Sequence, residues 1–279
     1  MIFSSKNKLI LPTNNHPLTK CLLLSLSFLF LTLFVVLPVA VIFINAFEGG
    51  VQLYMDSILN DEAAMAIKLT LLVSAISVPL NTVFGICASW LIAKYDFRGK
   101  KLLLTLIDLP FSVSPVISGL IYVLLFGSYN FFGAWLMEND LDVIFAVPGI
   151  VIATIFVTFP FIAKELIPLM EEQGSSEEEA AISLGAGGFK TFLFITLPNI
   201  KWALLYGILL CNARAMGEFG AVSVVSGHIK GLTNSIPLHV EILYNEYNFV
   251  AAFAVASILT IMALFTLLLK SLIEGKIQR

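Results

Sequence analysis

The sequence predicts an all-α membrane protein of six transmembrane helices, on three observations. Its 279 residues are 58% hydrophobic and 13% charged, at a mean hydropathy of +0.95, a balance that excludes a soluble domain. Apolar runs of the roughly 20 residues needed to cross a ~30 Å hydrocarbon layer lie near 22–46, 67–92, 102–126, 143–169, 202–226 and 249–272. Positive charge sorts to alternate loops.

Lys6, Lys8 and Lys20 precede span one, Lys94, Arg98, Lys100 and Lys101 follow span two, and Lys164, Lys190 and Lys201 fall between spans four and five. Lys270, Lys276 and Arg279 close the chain. These segments, both termini included, are expected to face the cytoplasm. The other loops are acidic, with Glu48, Asp56, Asp61, Glu62, Glu138, Asp140 and Asp142, and Lys230 is their cationic exception. The net charge of −3 gives no reason to expect nucleic acid as a partner. Residues 1–20, with Pro12, Asn14, Asn15 and Pro17, are expected to form a polar cytoplasmic tail, and 21–279 a transmembrane domain in contact with membrane lipid.

Leu and Phe on all sides of span one mark a helix that meets lipid over much of its circumference. It is too long for a signal-peptide core, and Phe47 and Glu48 follow without a small-residue cleavage site, so it is expected to be retained. In span two, Ser74, Asn81 and Gly85 fall near one stripe, with Ser77, Thr82 and Ser89 beside it. Such residues serve a tight helix contact or line a solute path, and Asn81 is a candidate under both readings. Lys68 reaches the outer interface with its long stem. Span three carries Asp108 and the string Pro110-Phe111-Ser112-Val113-Ser114-Pro115. Its two prolines remove helix bonds that nearby hydroxyls can compensate. A helix broken at membrane depth is shielded from lipid, which makes Ser112 and Ser114 pathway or gate candidates. Asp108, about 10 Å along the helix from Lys101, reads as an interfacial anchor or as a gate residue. Span four holds Pro148, Thr158 and Pro160, then passes through Lys164, Glu165 and Pro168 to the cytoplasmic boundary.

A polar loop of about 170–200 follows. Ser176 stands three residues before Glu179 and predicts a capping box. Ala180, Ala181 and Leu184 give a small apolar face, and Gly185 suits a left-handed close. Lys190 to Leu197 reads as a second short helix, with Pro198 stopping it or starting the next. Helices this short need packing, because isolated ones are marginal below roughly 12–15 residues. The run Gly185 to Thr191 is no phosphate cradle, since GxxxxGK[ST] would need glycine where Leu184 and Phe189 stand.

In span five Arg214 and Glu218 are one turn apart and can pair. Charges at a span's centre cost at least ~2.5–3.5 kcal/mol each, so they face protein or water. A fixed structural pair, a pair made and broken in gating, and an Arg that meets an anion all remain open. His228 and His239 lack metal-like spacing and read as solvated loop residues. Cys21, Cys87 and Cys211 are odd in number, without CxxC spacing, and read as packing residues. Span six, rich in small residues from Ala251 to Leu269, packs a core or partner helix. With no HExxH motif and no nucleophile–base arrangement, neither an enzyme nor a cofactor or metal bound by this chain is expected.

The spacing Glu179-Ala180-Ala181, three residues, Gly185, nine residues, then Ile195-x-Leu197-Pro198 resembles, without gaps, the EAA loop of permease subunits in ATP-binding-cassette importers. The resemblance implies a type I importer fold. It also implies an ATPase-coupling role for Glu179, Ala180, Ala181, Gly185, Ile195, Leu197 and Pro198, with ATP and Mg bound by a separate ATPase dimer. The segments Asn81 to Gly85 and Tyr95 to Lys100 resemble sulfate and molybdate permeases, and Ala213 to Gly220 resembles the ARAxGEFG segment of sulfate permeases, with Met216 in the variable place. Gly227 to Tyr247 is similar to the W-type subunit of sulfate/thiosulfate importers. The likeness runs over nearly all the chain from span two onward. It implies a heterodimer with a homologous T-type permease, an external sulfate-binding protein that sets selectivity, and alternating access in the inner membrane. The competing readings are a molybdate or tungstate permease and an ATP-independent secondary anion transporter or channel.

Overall fold

The computed structural model describes residues 17–277. Positions 1–16 of the expected tail, with Lys6 and Lys8, and Arg279 at the other end lie outside the described residues. The first helix already begins at Pro17, so 17–20 are helical rather than tail. Proline costs nothing at a helix start, where the missing N–H has no intrahelical partner.

Among the described residues, five helices are long and apolar enough to cross a membrane. These are α1 (Thr19–Ala46), α3 (Asp61–Lys94), α7 (Val147–Gln173), α9 (Gly188–Met216) and α12 (Phe249–Leu272). A sixth crossing is broken into α4 (Lys100–Ser112) and α5 (Pro115–Phe126), bent by 106°. Shorter helices join them: α2 (Gly50–Leu59), α6 (Phe131–Glu138), α8 (Ser176–Ser183), α10 (Gly220–Ser226) and α11 (Ile236–Asn245).

The core forms where α3, α7 and α9 pack, around Val78, Ile162, Leu166, Met170, Ile200, Cys211 and Ala215. A second cluster joins α3 and α7 to α10 and α11 through Val73, Ile150, Val222 and Leu238. Gly85 lets α3 and α7 close up, since a Cβ there would lie 2.6 Å from Ile162 Cγ2. None of α1's apolar window is buried, as expected of a lipid-facing helix.

Three boundaries differ from the sequence reading. Span four does not end near Pro168, because α7 continues to Gln173. Span five starts at Gly188 rather than 202, so Lys190 to Leu197 is its first part and Pro198 neither stops nor starts a helix. The helix accommodates Pro198 by a π-helical turn, Phe192–Thr196, in which Leu197 N–H donates to Phe192 O. Widening that turn relieves the clash of a proline ring with the carbonyl four residues back. α1 uses the same device at Thr32–Val36, just before Pro38. Span five also stops early, at Met216, and a break at 217–219 separates it from α10.

Candidate functional site

Pro110 and Pro115 lie beside the bend between α4 and α5, and a cavity of ≈ 420 Å³ opens there. Ser112 and Ser114 line it, with Phe111, Val157, Phe161 and Arg214. Three of the residues singled out from sequence therefore meet in one place, although they come from distant parts of the chain.

Arg214 stands on the last turn of α9, and Glu218 lies in the break beyond it, not inside a helical span. Arg214 Nη1 is 2.7 Å from Glu218 Oε2, an ion contact rather than a well-aligned hydrogen bond. Glu218 Oε1 accepts from the Ala221 N–H at 2.9 Å, in the first turn of α10. The Glu218 side chain is 0% exposed and that of Arg214 35% exposed. The pair thus hides its anion and leaves part of its cation on the cavity wall.

Asp108 pairs with Lys164 at 2.7 Å. Lys164 Nζ also lies 5.1 Å from the Phe111 ring, which packs edge-on against Phe161 at 5.4 Å. Sequence reasoning counted Lys164 as a loop charge at the membrane boundary, yet it sits on α7 nine residues before Gln173. Asn81 is not brought to this cavity. It is buried, and its amide donates to Thr158 Oγ1 at 2.8 Å while lying near Cys211 Sγ, knitting α3 to α7 and α9. Ser74 Oγ and Asn212 Oδ1, 2.6 Å apart, add a second α3–α9 contact.

The polar loop is a second constellation. Ser175, not Ser176, is the N-cap residue of α8, and its hydroxyl donates to the Glu179 carboxylate. Gly185 has φ +89° and closes α8 with a paired motif, in which Gly185 N–H donates to Ile182 O at 2.9 Å and Ala186 N–H to Ala181 O at 3.0 Å. The tip leaves Leu184, Phe189 and Ile182 in the open, at 90%, 78% and 57% exposure. Ala180 is exposed too, Ile195 and Leu197 are half-buried, and Pro198 is exposed.

Two glutamates that sequence reasoning passed over tie α8 down. Glu177 accepts from Asn199 Nδ2 at 2.5 Å. Glu178 accepts from Thr196 Oγ1 at 3.2 Å and pairs with Lys94 Nζ at 2.9 Å, whose ammonium also donates to Gly174 O. The loop is thereby held to the ends of both α3 and α9. Burial raises the Glu178 pKa, but the hydrogen bonds and charge of Lys94 with those of the backbone and Thr196 outweigh it, and the net shift is downward. A carboxylate with a depressed folded value stabilises above its ordinary pKa and loses that effect as pH falls through the folded one. Hydrogen exchange of 176–184, corrected for intrinsic rate, is therefore expected to stay flat above the ordinary value of 4.5 and to rise below it. Lys94→Met is expected to raise exchange at neutral pH and flatten the acid dependence.

At the opposite end, Lys230 is held by Glu246 at 2.7 Å and Glu62 at 3.5 Å. The hydrogen bond that Lys230 donates to Glu246 is the main cause of its raised pKa. His228 meets Glu241 at 3.2 Å. His239 is not a solvated loop residue: it is 0% exposed, with Nδ1 3.2 Å from the Asn234 amide. Burial holds it below the usual imidazole range despite the charge of Glu62. Among the described residues no group of three or more His, Cys, Asp or Glu side chains can hold a metal ion.

A crossing broken beside a polar cavity, next to a long helix running out into a polar loop, fits a membrane permease. Residues 81–279 match the family described as binding-protein-dependent transport system inner membrane component, and the chain belongs to that family. It is 48% identical over 259 residues to the sulfate transport system permease protein CysW of Escherichia coli (strain K12), across 93% of this chain and 89% of that one. It is 33% identical to the sulfate transport system permease protein CysT of the same strain, across 92% of each chain. A crystal structure of a bacterial alginate ABC transporter in complex with an alginate pentasaccharide-bound periplasmic protein superposes with TM-score 0.76 at 18% identity, over 94% of this chain and 95% of that one. That last likeness carries the fold alone.

Proposed function

We propose that the chain is the permease subunit of an ATP-driven importer that passes sulfate or thiosulfate through the cytoplasmic membrane by alternating access. The observation that carries this is the cavity in which Arg214 is part-exposed while Glu218 is fully hidden. Moving an unpaired ion into a medium of dielectric ~4 costs tens of kcal/mol. A dianion needs a polar route, and the cavity supplies one cation with the Ser112 and Ser114 hydroxyls beside it. The 48% identity to a sulfate permease protein supports the choice of anion.

Ser112, Ser114, Arg214, Glu218 and Asp108 belong to the path, and Asn81 to helix packing. The apolar tip of the polar loop, Ile182, Leu184 and Phe189, suits a groove on a cytoplasmic ATPase dimer, which binds ATP and Mg in place of this chain. Both termini lie on that side. A second permease of the T type completes the path, in keeping with the similarity to CysT, and an external sulfate-binding protein delivers the anion.

Co-purified with its genetic neighbours and placed in vesicles, the complex is expected to take up labelled sulfate only with ATP, in competition with thiosulfate. A cysteine at Leu184 or Phe189 is expected to crosslink to the ATPase subunit. Preferential molybdate uptake would move the assignment to that oxyanion, and flux that followed an ion gradient without ATP would overturn it.

A further inference from the structure

The Asp108–Lys164 pair lies well back from both helix ends. Asp108 is eight residues from the start of α4 at Lys100, about 12 Å along the axis, and Lys164 is nine residues from the end of α7, about 13 Å. Both helix ends carry charge, with Lys100 near Glu171. Yet the two side chains are 48% and 52% exposed. Charged side chains this open do not face hydrocarbon, so the open face borders water or a second protein chain.

The pair adjoins the cavity through Phe111, which lines it. Val157 lines the cavity on the same helix as Lys164, seven residues away, so the lysine lies about 10 Å nearer the polar-loop end. Between them stand the packed rings of Phe111 and Phe161, which line the cavity on one side. Lys164 Nζ lies over the Phe111 ring. Two cations, each paired with a carboxylate, thus lie near one aromatic pair.

We propose that Lys164 is a second anion-contact site, on the exit side of the aromatic pair, for a doubly charged tetrahedral oxyanion. Asp108 is its built-in competitor. This rests on the reading of the chain as a sulfate permease. In an empty path the ammonium is neutralised by Asp108, so it offers no standing attraction to small univalent anions. A dianion arriving past the rings brings twice the charge of the carboxylate and can take the ammonium from it. The carboxylate reclaims the lysine afterwards and ejects the anion, which keeps the contact weak enough for conduction. Arg214 does not share this design, because its carboxylate is buried and also holds a backbone N–H.

The test uses the complete reconstituted complex, with uptake normalised to the amount of chain that co-purifies with the ATPase subunit. The pair Asp108→Asn/Lys164→Gln keeps polar contact without charge, and a merely structural ion pair tolerates such neutral replacement. As an anion site it does not: loss of a charge-assisted hydrogen bond predicts uptake lower by about tenfold or more. Lys164→Arg is expected to retain most of the uptake. Asp108→Asn alone frees the lysine, so sulfate enclosed on the cytoplasmic side is expected to inhibit at about tenfold lower concentration. Uptake by the neutral pair within twofold of wild type, or an unchanged inhibition by internal sulfate in Asp108→Asn, overturns the proposal. Failure of the wild-type complex to move sulfate would instead sink the functional reading itself.

Discussion

Glu218→Ala is expected to damage the fold more than removing both members of its ion pair. Deleting the carboxylate leaves Arg214 with an uncompensated charge and leaves the Ala221 N–H without its 2.9 Å partner. Breaking a fully buried pair from one side costs about 3–5 kcal/mol, and less where the remaining partner is part-exposed as Arg214 is, whereas replacing both partners by apolar groups of similar size is often neutral. Arg214→Met/Glu218→Met is therefore expected to assemble and resist heat more like wild type while failing to transport. The temperature at which half the complex stays monodisperse in detergent should rank wild type first, the double variant next and Glu218→Ala last. Equal loss in the single and double variants would show that the pair adds little to the fold.

The second large effect is expected in the polar loop. Nothing in this chain lies within 4 Å of a Cβ built on Gly185, so within the chain any harm from a side chain there comes from its φ of +89°. A β-carbon in left-handed geometry costs roughly 1–2 kcal/mol, which lowers the fraction of correctly closed loops about 5- to 30-fold. Gly185→Val is expected to cut ATP-dependent uptake by a similar factor without loss of membrane abundance. Gly185→Asn is expected to be milder, because asparagine visits left-handed conformations more readily. If valine and asparagine gave the same uptake, backbone geometry at Gly185 would not be what the loop requires.

Gly185 was legible because its demand is local: one residue, one turn, one conformation. The break at Ser112–Ser114 was legible for the same reason, since two prolines five residues apart interrupt any helix. Its 106° bend was not, because packing against α7 and α10 sets the direction. The cap at Ser175 was missed by one position because two serines precede a run of three glutamates, and any pairing among them looks equally good. The Lys94–Glu178 tie joins residues 84 positions apart, and no period or spacing announces it. Span five was drawn too far because 217–219 interrupts it within an apolar stretch whose composition barely changes. Lys164 was read as a boundary marker because hydropathy places charges by their neighbours in sequence, while its partner Asp108 belongs to another helix.

The π-helical turn at Phe192–Thr196 has a mechanical meaning. α9 is one uninterrupted shaft of 29 residues, about 42 Å, with the polar loop at its foot and Arg214 near its top. Such a turn accommodates an extra residue in the winding, and each residue of an α-helix advances the azimuth by 100°. The wide turn therefore sets the angular phase between the foot of the helix and the Arg214 guanidinium on the cavity wall. Torque applied below arrives above without a hinge to absorb it.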